Sequence, residues 1–109
     1  DLVFVDAPCS GSGAWRRNPD AKWRLTPARL AEFCATQDAV LDAACAAVRP
    51  GGRLVYATCS IIPAENAARV AAFLARHPDF TVAGAPLALL PAAEAGDGFF
   101  AAVLHRVPA

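Results

Sequence analysis

Two short stretches of this chain carry the residue types that do covalent chemistry. The first, Asp6-Ala7-Pro8-Cys9-Ser10-Gly11-Ser12-Gly13, follows directly on the apolar run Leu2-Val3-Phe4-Val5. The second, Thr58-Cys59-Ser60, follows Arg53-Leu54-Val55-Tyr56-Ala57. Each delivers a cysteine and then a serine just beyond a strand-like run, and together they read as a two-thiol active site. A free thiol has a pKa of about 8.5, so only a few per cent is thiolate at neutral pH. One thiolate can attack a polarised carbon while the second thiol takes part in proton transfer. Placement before a helix N-terminus can lower a thiol pKa. Cys59 fits that description, because Pro63 is expected to open a helix shortly after it. A long loop separates Cys9 from its helix.

Most cysteines in proteins are small buried hydrophobes rather than reagents. Cys34 and Cys45 take that reading, on the apolar face of a helix with Leu30, Leu41 and Val48. Cys9 and Cys59 stand apart because their contexts match. Thr58 and Ser60 are expected to shape the turn around Cys59 rather than to react. Gly11-Ser12-Gly13 is too little for a phosphate-cradling loop, since no GxxxxGK[ST] follows. His77 and His105 have no acidic neighbour in sequence and read as ordinary helix-end and strand residues. Asp97, between Gly96 and Gly98, reads as turn chemistry.

The elements that must hold these residues follow from patterning. Residues 2–5 are short, β-branched and aromatic, the signature of a buried strand. Residues 7–26 form a long connection broken by Pro8, Gly11, Gly13 and Asn18-Pro19, a length that usually marks a functional loop. Thr26 as N-cap and Pro27 at the first helical position open a helix. Leu30, Phe33, Cys34, Gln37, Leu41, Ala44, Cys45 and Val48 continue it, and Pro50-Gly51-Gly52 ends it. Residues 53–58 form the second strand. A helix from Pro63 carries Glu65 in its first turn and Val70, Phe73 and Leu74 on one face, with Arg76 and His77 suited to its C-terminal dipole. Phe80 to Ala83 suggest a short strand. A loop with Pro86, Pro91, Gly96 and Gly98 then leads to a last strand, Phe99 to Val107.

Two strands joined through a long helix imply a parallel β-α-β crossover. The fold class is therefore α/β, half of a doubly wound sheet, in which ligands bind beyond the carboxyl ends of the parallel strands. If the first two strands are neighbours, their axes lie about 4.8 Å apart. Cys9 and Cys59 then reach one planar substrate.

Composition narrows the class. With 109 residues, 56% hydrophobic and 18% charged, the chain is one modest globular domain. It lacks an initiator methionine and opens inside a strand, as expected of a piece of a longer protein. No apolar run reaches the roughly 20 residues of a membrane span, and no signal peptide is visible. Four cysteines without a CxxC pair argue against zinc or any other metal site. They also argue against a disulfide framework, in favour of a reducing cytoplasm. Net charge is zero, which excludes nucleic-acid binding by overall charge. Yet Arg16, Arg17, Lys22, Arg24 and Arg29, half of the ten basic residues, cluster with Trp15 and Trp23. Cations among stacking aromatics suit an RNA surface. A solvated loop with two core tryptophans accounts for the same residues equally well.

The two cysteine stretches resemble the signature motifs of the Sun/Fmu family of RNA cytosine-5 methyltransferases. Arg16-Arg17-Asn18-Pro19-Asp20-Ala21-Lys22-Trp23 resembles the segment that follows in its bacterial small-subunit ribosomal RNA branch, and Asp97-Gly98-Phe99-Phe100 its closing strand. The resemblance implies the C-terminal half of a Rossmann-like catalytic domain that uses S-adenosylmethionine, with an antiparallel last strand. It implies that Cys59 attacks carbon 6 of cytosine, that Cys9 assists loss of the carbon-5 proton and release of the enzyme, and that Asp6 lies at the cofactor and substrate junction. Arg16, Arg17, Lys22, Trp23 and Arg24 become candidate RNA contacts. Methyltransferases acting on exocyclic amines commonly carry Asp/Asn-Pro-Pro-aromatic at this strand end. Asp6-Ala7-Pro8-Cys9 departs from that pattern and favours attack on a ring carbon.

Two other readings compete: a cysteine hydrolase or thiol oxidoreductase using Cys9 and Cys59, and a non-catalytic RNA-binding module. The first lacks a CxxC pair and a histidine partner motif, and the second leaves the paired cysteines unexplained. In the resembled family the glycine-rich cofactor loop and a ribose-binding acidic residue lie upstream of the strand that begins here. The isolated 109-residue chain is therefore expected to bind S-adenosylmethionine poorly or not at all. Titration calorimetry tests this, and micromolar binding would overturn it.

Overall fold

The computed structural model describes residues 2–12, 25–89 and 98–108. Five strands form one sheet in the order β1 (Leu2–Asp6), β2 (Arg53–Thr58), β5 (Phe99–Arg106), β3 (Phe80–Val82). The remaining strand, β4 (Leu87–Leu89), also pairs with β5. Strands β1 and β2 are parallel, with Val5 opposite Tyr56 and Asp6 opposite Ala57. They are joined through helix α1 (Pro27–Cys45). Strand β5 is antiparallel to β2, with Thr58 opposite Phe100. Its far edge is shared, with β3 on Val82 to Phe80 against Leu104 to Arg106 and β4 on Leu89 to Leu87 against Phe99 to Ala101. The mixed α/β sheet, the neighbouring parallel strands and the antiparallel last strand all agree with the sequence reading.

Local chemistry explains the boundaries. Thr26 caps α1, its Oγ1 accepting from the Arg29 amide at 3.2 Å and its carbonyl from the Leu30 amide at 2.9 Å. The helix stops at Cys45, earlier than the apolar spacing suggests, and Val48 reaches the core from the turn beyond it. Gly51, at φ +83°, supplies the left-handed backbone of the turn into β2.

Two expectations fail. Pro63 does not open an α-helix; Pro63–Glu65 is a single 3-10 turn, and α2 begins only at Ala67 and runs to Arg76. Asn66, between them, has φ −114° and ψ −96°, which interrupts the helical path. Strand β4 lies where a loop was expected, because pairing along β5 organises residues with no strong local strand pattern. Trp15, Arg16, Arg17, Lys22, Trp23 and Arg24, like Pro91, Gly96 and Asp97, lie outside the described residues.

Both helices cover one face of the sheet. Leu41 of α1 and Val70 and Phe73 of α2 pack on Val5, Leu54, Tyr56, Phe100, Ala102 and Leu104. Phe73 meets Phe80 edge-on at 5.1 Å between ring centroids, and His77 lies against Phe73 at 4.5 Å. The alternate residues of β1, Leu2 and Phe4, point the other way and are exposed. Ion pairs pin α2 to α1, Arg69 to Asp38 at 2.6 Å and Arg76 to Asp42 at 2.9 Å, and His77 Nε2 makes a 2.8 Å hydrogen bond to Asp42. His77 thus has an acidic partner that its sequence position did not indicate.

Among the described residues no helix is long and apolar enough to cross a membrane, and no cluster of His, Cys, Asp or Glu could hold a metal ion. Phe73→Ala should cost about 3–5 kcal/mol in urea unfolding, since it empties a fully enclosed site. Val82→Ala, on an exposed strand position, should cost less than about 0.5 kcal/mol. Similar losses at both positions would contradict this packing.

Candidate active site

The parallel register of β1 and β2 releases two loops from the same level of the sheet. The Ala7 amide still donates to the Ala57 carbonyl at 2.9 Å. Beyond that bond the chains part into Pro8–Ser12 and Cys59–Ile62. Cys59 is exposed, while Cys9 is half-buried beside it. Backbone amides of Gly11 and Cys59 face the Cys9 sulfur. Gly11 holds φ +71° with open space where a Cβ would be, so conformation rather than crowding requires glycine there.

Burial pushes the Cys9 thiol pKa up. The Gly11 and Cys59 amides oppose that by favouring the thiolate, and the negative charge of Glu65 reinforces it. Cys9 therefore rests as a thiol. The helix N-terminus expected to assist Cys59 is absent in that form, because only the short 3-10 turn follows it.

Beneath the thiols lies a polar cluster built around Glu65, whose side chain is fully buried. Its Oε1 accepts from the Ser10 amide at 2.7 Å and from Gln37 Nε2 at 3.3 Å. Its Oε2 accepts from the Ser10 hydroxyl at 2.6 Å and from the Ser60 hydroxyl. Gln37, from α1, also donates to the Pro8 carbonyl at 2.8 Å. Ser12 Oγ lies 3.0 Å from Ser60 Oγ and accepts the Ile61 amide at 2.8 Å. From β2, the Tyr56 hydroxyl donates to the Glu65 carbonyl at 2.6 Å. Burial, with the Glu65 charge behind it, pushes the Tyr56 phenol pKa upward, so it stays a donor. Thr58 donates to Asn66 Oδ1 at 2.6 Å and accepts the Ser60 amide at 3.2 Å, while Asn66 Nδ2 donates to the Ser60 carbonyl at 2.7 Å. Thr58 and Ser60 shape the turn, as their sequence positions suggest.

Glu65, Gln37, Tyr56 and Asn66 were not singled out as site residues by sequence reasoning. Glutamate in a helix first turn reads as solvent-exposed and dipole-favoured, and its four donors come from residues 5 to 55 positions away. Pro63 breaking the chain so soon after Ser60 is the one local signal.

The other candidates separate from this centre. Asp6 ends β1 with its side chain exposed, at the same end of the sheet as the thiols. Arg29 pairs with Glu32 at 3.2 Å and lies over the Phe33 ring at 5.3 Å, so its charge is engaged locally. Cys34 and Cys45 are half-buried on α1 and donate to the carbonyls of Ala64 and Asp42, at 3.5 and 3.0 Å. His77 sits by Cys45 rather than by the paired thiols.

Residues 1–105 match the family described as 16S rRNA methyltransferase RsmB/F. Ribosomal RNA small subunit methyltransferase B of Klebsiella pneumoniae is 47% identical across 97% of this chain and 26% of its own length. The chain thus spans about a quarter of the curated relatives it matches. Among solved structures, PH0851 superposes with a TM-score of 0.90 at 35% identity, over 97% of this chain and 26% of that one. NSun6 from Pyrococcus horikoshii with SFG superposes with a TM-score of 0.77 at 28% identity, over 97% and 30%.

Thiol alkylation checks the geometry. The pH at which Cys9 reaches half its limiting rate should lie above that of an unfolded thiol, because a raised pKa leaves less thiolate at any given pH. Peptide mapping after iodoacetamide treatment reads this, and a Cys9 midpoint below that of the unfolded chain would contradict it.

Proposed function

This chain belongs to the 16S rRNA methyltransferase RsmB/F family, and on that footing we propose that its two thiols serve methyl transfer from S-adenosylmethionine to carbon 5 of a cytosine in ribosomal RNA. One observation carries the assignment of roles: the thiols share the carboxyl end of two parallel strands, but only Cys59 is exposed, while Cys9 is half-buried and held as a thiol. An exposed sulfur can reach a ring carbon of a base laid over the loops. A half-buried one is better suited to a proton.

Carbon 5 of cytosine is a weak nucleophile in the intact ring. Cys59 Sγ, as thiolate, forms a bond to carbon 6, and the carbon 5–carbon 6 π pair moves to carbon 5. S-adenosylmethionine, when bound, supplies the electrophilic methyl group that this pair takes up. Cys9, having given up its own thiol proton to solvent, then takes the carbon-5 proton, the double bond re-forms, and the carbon 6–sulfur bond breaks to return the Cys59 thiolate. The Gly11 and Cys59 backbone amides favour the Cys9 thiolate when it forms.

Asp6 is the residue of this chain proposed to touch the methyl donor. Its exposed carboxylate ends a strand whose same face presents the exposed Leu2 and Phe4, and an acceptor beside apolar surface suits a ligand with an aromatic base and hydrogen-bond donors. Arg16, Arg17, Lys22, Trp23 and Arg24 are proposed to meet the RNA, on the strength of their charge and stacking capacity.

The test uses the full-length protein with small-subunit ribosomal RNA and labelled S-adenosylmethionine. Cys59→Ala should abolish methyl transfer, and Cys9→Ala should accumulate a covalent protein–RNA adduct. Normal turnover by Cys59→Ala would remove it from the role of nucleophile.

A further inference from the structure

We infer that Glu65 is a positioning residue that holds the Cys9 and Cys59 loops together as one reactive unit. The two serines that donate to its carboxylate, Ser10 and Ser60, are each the immediate successor of one of the paired cysteines. A single fully buried side chain thereby fixes both cysteines from below.

The direction of each bond supports this role. Ser10 Oγ accepts the Ser12 amide at 3.3 Å, and Ser60 Oγ accepts the Ile62 amide at 3.0 Å. Each hydroxyl therefore keeps its proton for Glu65. With the Ser10 amide and Gln37 Nε2 completing the set, all four neighbours of the carboxylate are donors. A carboxamide at this position would aim an N–H at one of them, so glutamine is not a silent replacement. Glu65 is itself immobilised, its carbonyl taking the Tyr56 hydroxyl and its amide donating to the Ile62 carbonyl at 3.0 Å. Burying a carboxylate costs several kcal/mol unless donors surround it, and here the donors belong to the two loops that present the thiols.

The consequence falls unequally on the two thiols. Cys59 is exposed, so a base can reach its sulfur even if the spacing of the two loops changes. Cys9 is half-buried, and the Cys59 amide that favours its thiolate belongs to the loop that Glu65 holds through Ser60. On the methyl-transfer reading, which this inference rests on, loss of Glu65 weakens proton removal and release more than attack.

Glu65→Gln in the full-length protein tests the idea with two readouts. The first needs no RNA: a short bifunctional thiol reagent is mapped by peptide mass spectrometry, comparing Cys9–Cys59 cross-links with single alkylation of Cys59. The ratio should fall about tenfold or more, in line with loss of hydrogen bonds to a charged group. The second is kinetic: kcat should fall, KM for RNA should hold, and adduct should accumulate. Should Glu65→Gln fail to fold, the Ser10→Ala/Ser60→Ala pair, which keeps the carboxylate, should show the same fall in cross-linking. An unchanged ratio in whichever variant folds, or a wild-type protein that does not cross-link, would overturn the inference. A wild-type protein that transfers no methyl group yet cross-links in a Glu65-dependent way would sustain the positioning role and remove the methyltransferase reading.

Discussion

A buried carboxylate between two loops is the constraint on which this site depends. Glu65 is fully enclosed and can be so only because Ser10, Ser60 and Gln37 turn their donors toward it. Those donors cannot arrive independently. They require β1 and β2 to be parallel neighbours ending together, α1 to lie across both so that Gln37 faces inward, and the chain after Ser60 to turn back sharply. The 3-10 turn and the interrupted helical path at Asn66 follow from that last demand.

The same architecture separates two chemically identical side chains. Cys9 comes after a strand-end amide that is still bonded to β2, and its loop folds inward over Gln37. Cys59 sits at the crest of a turn whose polar groups are already satisfied by Thr58 and Asn66. Burial raises one thiol pKa and leaves the other sulfur in the open. Two cysteines with different environments can divide attack and proton transfer between them, much as paired carboxylates do elsewhere.

Local signals carried the sequence reading far. The Thr26 cap, the strand runs at residues 2–5 and 53–58, and the paired Cys-Ser steps each reflect preferences that a few neighbouring residues dictate. The resemblance to RNA cytosine-5 methyltransferases, drawn from those motifs, agrees with the match to the RsmB/F family. Contacts set by the fold were not legible. Glu65 looks like a helix first-turn residue until Ser10, 55 positions away, is seen to bind it. His77 looks unpartnered until α1 brings Asp42 to 2.8 Å. Strand β4 exists because β5 offers it an edge.

The central claim is a division of labour in which Cys59 bonds to the base and Cys9 handles the proton. Small-subunit ribosomal RNA containing 5-fluorocytosine tests it in the unaltered full-length protein, because fluorine at carbon 5 cannot leave as a proton does and the adduct persists after methyl transfer. Digestion and mass spectrometry should then find the nucleotide on the peptide bearing Cys59, with the Cys9 peptide unmodified. A nucleotide attached to Cys9, or no adduct under conditions of active turnover on unmodified RNA, would contradict the account.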